Sequence, residues 1–274
     1  MLLLDMGNSR VKAGLLADGR IDALGSLPTT CLDAPDWLVD LGVDANAIDR
    51  VVVASVAGGP RDALLVRALA AAGLPEAEFA RVRRSACGVT CAYPEPDRLG
   101  VDRWVALLGA RALTARPVCV ADAGSALTVD ALDAQGLHLG GLISPGLAMM
   151  REALLAGTGN LAEFSRDSRD VSGPLFAADT RPAIDRGTRE AAAGLVDRAL
   201  RALAAHAGEV PDLIVTGGDG PRLLADLAAG PGGPAPGRYE PDLALVGLAR
   251  LMLSDSGDAL LEMPRLPTVA PRPT

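Results

Sequence analysis

Two stretches put a carboxylate, a glycine and a small polar residue where a strand should stop: Asp5-Met6-Gly7-Asn8 and Asp122-Ala123-Gly124-Ser125. Each follows a short apolar run, residues 2–4 in one case and 118–121 in the other. A carboxylate at the C-terminal end of a strand lies where open α/β sheets bind their ligands. The glycine lets backbone approach a phosphate, and Asn8 and Ser9 add short hydrogen-bonding side chains without bulk. Lys12, the single lysine of the chain, follows on the outgoing strand, where its ammonium is a point charge for phosphoryl oxygens. One such corner alone reads more readily as a polar hairpin turn. Two corners in matching contexts read instead as the two sides of one nucleotide triphosphate site. Asp5 and Asp122 are then candidates for holding a cation against the phosphates, because Mg²⁺ takes one or two carboxylates and keeps several waters.

A second constellation is YPEPDRLGVDRWVALLGAR, residues 93–111. Prolines 94 and 96 and Gly100 keep the chain irregular, and a helix with Trp104, Leu107 and Leu108 on its apolar face then begins. Asp102 is expected at or near the N-cap. It caps the helix, a role worth about 1 kcal/mol, or it serves as a general base beside Arg103; the residues alone leave both open. An ionised Asp can orient a hydroxyl and accept its proton late in phosphoryl transfer. TGGDG at 216–220 supplies a glycine-rich turn after a strand, fit for an adenosine or for a plain β–α connection.

The elements that must carry these residues repeat. Residues 2–5, 11–16 and 20–25 form a three-strand meander with a turn at Asp18-Gly19, and 117–144 follow the same pattern. Asp5 to Gly19 and Asp122 to Gly136 are both 14 positions apart. The first copy passes through a helical segment near 35–41 to a buried strand at 51–56, then a helix over 60–73 and a strand at 79–84. The second reaches its equivalent strand at 213–216 only after a helical insertion at about 145–208. The spacing predicts a duplicated α/β domain. Residues 230–237 read as a surface loop and 256–274 as a Pro-rich, disordered tail.

Composition narrows the partners. Aromatics are 3% of the 274 residues, so the core must be built from Leu, Val and Ala. A net charge of −8 argues against a nucleic-acid surface, which needs basic residues to release phosphate counterions. Cys31, Cys87, Cys91 and Cys119 lack metal-ligand spacing and read as small buried or half-buried thiols. With no leader and no apolar run of membrane length, the expected home is the cytoplasm, with no membrane partner.

Taken in order, DMGNSRVK at 5–12, LGVDR at 99–103, DAGSALTVD at 122–130, GGLISPGLAMMREAL at 140–154, DT at 179–180 and TGGDG at 216–220 resemble the type III pantothenate kinases, also called the Bvg accessory factor family, of the acetate and sugar kinase/actin superfamily. Any one motif is weak; the ordered set, from Leu2 to about Leu251, is specific. The resemblance implies duplicated actin-like (ribonuclease H-like) domains, each a mixed sheet flanked by helices, over residues 1–114 and 115–255, with the active site in the cleft between them. It implies that ATP phosphorylates the primary hydroxyl of pantothenate, the first step towards coenzyme A. Asp5, Met6, Gly7, Asn8, Ser9, Arg10, Val11 and Lys12 would form the phosphate loop, and Ser125 another ATP contact. Asp102 would be the proton acceptor, and Tyr93, Gly100, Val101, Asp102, Arg103 and Thr180 would touch pantothenate. Asp122 would hold a monovalent cation, K⁺ or NH₄⁺, beside Mg²⁺. The resemblance also implies a homodimer, joined through the 145–208 helices.

The chain departs from the family pattern at several positions. Ser9 and Ser125 stand where Thr is frequent and keep the hydroxyl, Pro94 follows the tyrosine, Asp179 replaces a frequent Asn, and GNLAEF at 159–164 lacks a Leu-Pro. A catalytically silent accessory relative of the same fold is the alternative reading. Retention of Asp102, Arg103 and both corners favours the enzyme.

Overall fold

Leu2, Leu3, Leu4 and Met6 have no exposed surface because their strand, β1 (Leu2–Met6), is the middle of a sheet covered on both faces. The computed structural model describes residues 1–34, 37–157, 175–230 and 237–256. These divide into two units, numbered below in chain order.

The first unit comprises Met1–Thr90, Glu95–Ala115 and the chain from Leu243 onward. Its sheet runs β3 (Arg20–Pro28), β2 (Arg10–Ala17), β1, β4 (Val51–Ser55), β5 (Ala77–Phe79). The first three strands are antiparallel and the last two run parallel to β1. Alternation sends Leu2, Leu4, Met6, Val51 and Val53 to one face, where they pack with Trp37, Leu65 and Leu69. Leu65 and Leu69 come from α1 (Gly59–Ala71), which starts at a proline-bearing first turn. A small hairpin of β6 (Ser85–Ala86) and β7 (Val89–Thr90) leads on towards α2 (Val101–Leu113). α2 packs against α6 (Leu243–Ser256), and both contact the sheet. Their axes come close enough that only glycine fits at the crossing. A Cβ on Gly247 would fall 1.7 Å from the Val105 carbonyl oxygen, and one on Gly109 2.4 Å from that of Leu243.

The second unit comprises Cys91–Pro94 and Arg116–Asp242. Its sheet runs β10 (His138–Pro145), β9 (Ala126–Leu132), β8 (Val118–Ala123), β11 (Asp212–Thr216), β12 (Gly237–Tyr239), the same order and the same directions as the first. α4 (Thr180–Ala207) lays Ala192, Val196, Leu200 and Leu203 on β8 and β9, with α3 (Leu147–Gly157) and α5 (Gly220–Ala229) beside it. Asp179 caps α4 by accepting from the Arg181 N–H, and Gly208 ends it in the left-handed region. Both meanders also share an irregularity. Leu24 in β3 and Leu139 in β10 are left out of register, each just before a glycine, Gly25 or Gly140, at φ 109°.

The duplicated mixed-sheet architecture is therefore the observed one. Two expectations need correcting. The described part of the region near 35–41, residues 37–41, is not an α-helix: Val39–Leu41 make one 3₁₀ turn that stops at Gly42 (φ 69°), although Trp37, Leu38 and Leu41 do enter the core. Residues 81–84 leave the sheet after the Ala80 N–H donates to the Val53 carbonyl. By contact, residues from Leu243 group with the first unit and Cys91–Pro94 with the second. The tail and most of the 230–237 loop lie outside the described residues, as does GNLAEF. Cys91 and Cys119 are buried, and burial followed by the charge of Asp130 pushes the Cys119 thiol up to about 12. Among the described residues no helix is long and apolar enough to cross a membrane.

Replacing Gly247 by Val should cost about 3 kcal/mol, the upper part of the range for overpacked cores. Urea denaturation checks this, and an unchanged midpoint would mean that α2 and α6 can separate freely at their crossing.

Candidate active site

In the first unit the corner is built by the β1–β2 ladder. Asp5 pairs with Lys12 and Met6 with Val11, so Asp5 and Lys12 are cross-strand neighbours on one face. Both are half-buried, whereas Met6 and Val11 are fully buried in the core. Met6 and Val11 can therefore offer a ligand only their backbone, a refinement of the phosphate-loop expectation. The Gly7 N–H donates to the Arg10 carbonyl at 3.0 Å and closes the turn. Thr29 holds the turn from one side, its N–H on the Ser9 carbonyl and its hydroxyl on that of Asn8. Arg61, in the first turn of α1, donates to Asn8 Oδ1 at 3.2 Å from another. Arg10 turns aside and binds Ser26.

The end of β4 adjoins this corner, since the Val56 N–H donates to the Met6 carbonyl. Ser55 Oγ and Asp62 Oδ1 lie 2.5 Å apart next to it. Asp102 comes to the same strand end through Gly100. A Cβ at position 100 would lie 2.5 Å from Asp102 Oδ1 and 3.8 Å from Val56 Cγ1. Gly100, not Asp102, is the N-cap residue of α2, and Asp102 sits in the first turn, where its Oδ1 accepts from the Arg103 N–H at 2.7 Å. Asp102 thus lies near the N-cap, two residues past it. The helix dipole favours an anion there. Arg103 is only 7% exposed, so its guanidinium is not a solvated surface charge.

In the second unit Asp122 pairs with Thr128 on one side and Thr216 on the other. The turn is tighter here: Gly124 N–H donates to the Ala126 carbonyl, and Gly146 N–H to that of Ser125. The glycine-rich turn after β11 closes over the corner. A Cβ on Gly217 (φ 86°) would lie 2.5 Å from both Asp122 Oδ1 and the Ala123 carbonyl oxygen, and Asp219 N–H donates to that same oxygen. Tyr239 donates its hydroxyl to the Gly217 carbonyl, and its phenol is pushed up by burial and then by the Asp242 and Asp122 charges. A pocket beside the corner is lined by Gly124, Gly146, Leu147, Asp219, Leu223 and Asp226. Tyr93 and Ser125 also belong to this unit, as does Thr180, exposed as the first residue of α4.

Sequence reasoning missed the Arg61 brace on Asn8, the Gly146 and Gly217 contacts and the Ser55–Asp62 pair. All but Ser55–Asp62, seven positions apart, join residues distant along the chain. The one available signal was Gly146, a glycine placed between a strand-ending proline and an apolar helix.

Two sheets of one topology, each with an Asp-x-Gly corner at the end of its central strand, define the duplicated actin-like class. A Sinorhizobium meliloti protein provisionally named a 2-dehydro-3-deoxygalactonokinase has this fold, with a TM-score of 0.55 at 14% identity over 93% of this chain and 98% of that one. A family model described as type III pantothenate kinase matches residues 1–202. Type III pantothenate kinases of Nitrosococcus oceani and Azoarcus sp. (strain BH72) are similar to the chain. The first is 35% identical over 92% of this chain and 93% of its own length, the second 36% over 94% and 93%. The chain belongs to the type III pantothenate kinase family.

Gly217→Ala should destabilise the second unit by about 2 kcal/mol or more, combining left-handed backbone strain with a clash against backbone. Thermal unfolding measures it; an unchanged midpoint would mean that the turn does not press on the Asp122 corner.

Proposed function

We propose that this protein transfers the γ-phosphoryl group of ATP to the primary hydroxyl of pantothenate, with Asp102 as proton acceptor. The observation that carries the reading is the Asp102 carboxylate at the start of α2, given room by Gly100 beside the end of β4, in a chain of this family. The pantothenate hydroxyl oxygen attacks the γ-phosphorus, the bond from that phosphorus to the ADP oxygen breaks, and the hydroxyl proton passes to Asp102. Transfer of this kind needs positioning and charge stabilisation more than covalent help. Backbone N–H groups of the 7–9 turn and the Lys12 ammonium receive the phosphates, Asn8 and Ser9 add side-chain bonds, and Ser125 contacts ATP from the second corner. Gly100, Val101, Arg103, Tyr93 and Thr180 bind pantothenate, with Arg103 on its carboxylate.

The donors at the second corner are all oxygens: the Asp122 carboxylate and backbone carbonyls packed too closely for a Cβ at 217 or 146. Oxygen donors suit hard cations such as K⁺, NH₄⁺ being their hydrogen-bonding counterpart, and Mg²⁺. Asp122 would hold the monovalent ion, and a cation there supplies countercharge for the ATP phosphates. We further propose a cytoplasmic homodimer. Ile143 and Leu142 on the edge strand β10 and Met149 on α3 are exposed, the apolar surface a second copy would cover.

Asp102→Asn should bind ATP and pantothenate normally by calorimetry yet lose turnover by ~10²–10⁴, the usual contribution of a positioned base. Normal turnover in that variant would remove the proton-acceptor role. Pantothenate-dependent ADP release should fall when Na⁺ replaces K⁺, and Asp122→Asn should abolish that cation response. A response that survives the change would move the ion elsewhere.

A further inference from the structure

Tyr93 lies on a four-residue segment, Cys91–Pro94, that belongs with the second unit although its chain neighbours on both sides belong with the first. Pro94 holds the residue before it extended. The tyrosine ring lies nearly parallel to that of His138, at a centroid separation of 6.0 Å and an interplanar angle of 10°. That is within the range of offset stacking. His138 begins β10 opposite Leu132, and Asp130 is two residues from Leu132, so alternation puts both side chains on one face. His138 Nε2 and Asp130 Oδ1 are 2.9 Å apart, and the two side chains are 0% and 4% exposed.

A pair buried so deeply is seldom there for stability, since apolar residues of the same volume serve as well or better. The other ring nitrogen sharpens the point. His138 Nδ1 is buried with no hydrogen-bond partner. With Nε2–H donating to Asp130, Nδ1 is a bare lone pair at some cost. An imidazole that uses one nitrogen and leaves the other unpaired is retained for its anchored ring face.

We propose that His138, oriented by Asp130, is a positioning residue that seats the Tyr93 ring for its contact with pantothenate. The inference rests on the assignment of Tyr93 to the substrate. Asp130 sets the plane of the imidazole, and the imidazole sets the plane of the phenol. Neither His138 nor Asp130 touches the reacting atoms.

His138→Gln keeps an N–H for Asp130 and removes the ring. It should raise the KM for pantothenate roughly tenfold while leaving kcat, the KM for ATP and the thermal midpoint in place, the signature of lost uniform binding. The paired change His138→Phe with Asp130→Val restores a ring face without a bare carboxylate and should recover most of the affinity; it also serves if the Gln variant folds poorly. In a Tyr93→Ala background the His138 change should add nothing. An unaltered pantothenate KM in folded His138→Gln overturns the proposal, as does an equal rise in both KM values or an effect that multiplies with that of Tyr93→Ala. If Tyr93→Ala itself leaves the pantothenate KM unchanged, the substrate role of Tyr93 fails and the inference with it. If the wild-type chain releases no pantothenate-dependent ADP, the proposed function fails.

Discussion

The central strands β1 and β8 are hydrogen-bonded on both edges and packed on both faces, and that confinement governs where polarity can appear. A carboxylate inside such a strand would be desolvated without compensation. Leu2, Leu3 and Leu4 in one, and Val118, Cys119, Val120 and Ala121 in the other, are accordingly apolar and buried. Only at the exit from the sheet can an Asp be carried, and both strands carry theirs there. What chemistry the fold hosts is thus confined to strand ends by the same burial that stabilises the strands.

Around each exit the neighbouring elements are shaped to the corner more than to each other. In the first unit Thr29 and Arg61 brace the turn from β3's end and from α1, while Gly100 leaves space for the Asp102 carboxylate. In the second, the turns at 146 and 217 press backbone directly against the Asp122 corner. The two corners share a topology and differ in filling: one is open and edged by side chains, the other closed and edged by carbonyls.

Much of this was legible in the residues. Local period and turn chemistry placed both meanders, the Asp18-Gly19 turn and the apolar face of α2, because each depends on neighbours a few positions away. The equal spacing of Asp5–Gly19 and Asp122–Gly136 revealed the repeat and, with it, both corners. The segment near 35–41 was expected as a helix, but its described part makes a single 3₁₀ turn, since the left-handed Gly42 that stops the turn leaves no mark in the apolar pattern of Trp37, Leu38 and Leu41. The return of residues from Leu243 to the first unit was invisible for a plainer reason. An apolar helix carries no mark of which sheet it will cover, and the fit of Gly247 against Val105 is settled only when the two helices meet. The pairing of His138 with Tyr93 was hidden likewise, its partners lying 45 positions apart.

The out-of-register Leu24 and Leu139, each leading a glycine at the same unusual backbone angle, bear on origin. Apolar cores converge readily, because many residue choices fill the same space. A kink in the third strand is a different kind of witness, since nothing in a shared sheet topology demands one there. Its presence in both halves, at a Leu-Gly step in the third strand of each meander, speaks for a single ancestral half whose gene was doubled after the kink arose. The halves then diverged in side chains and kept the flaw.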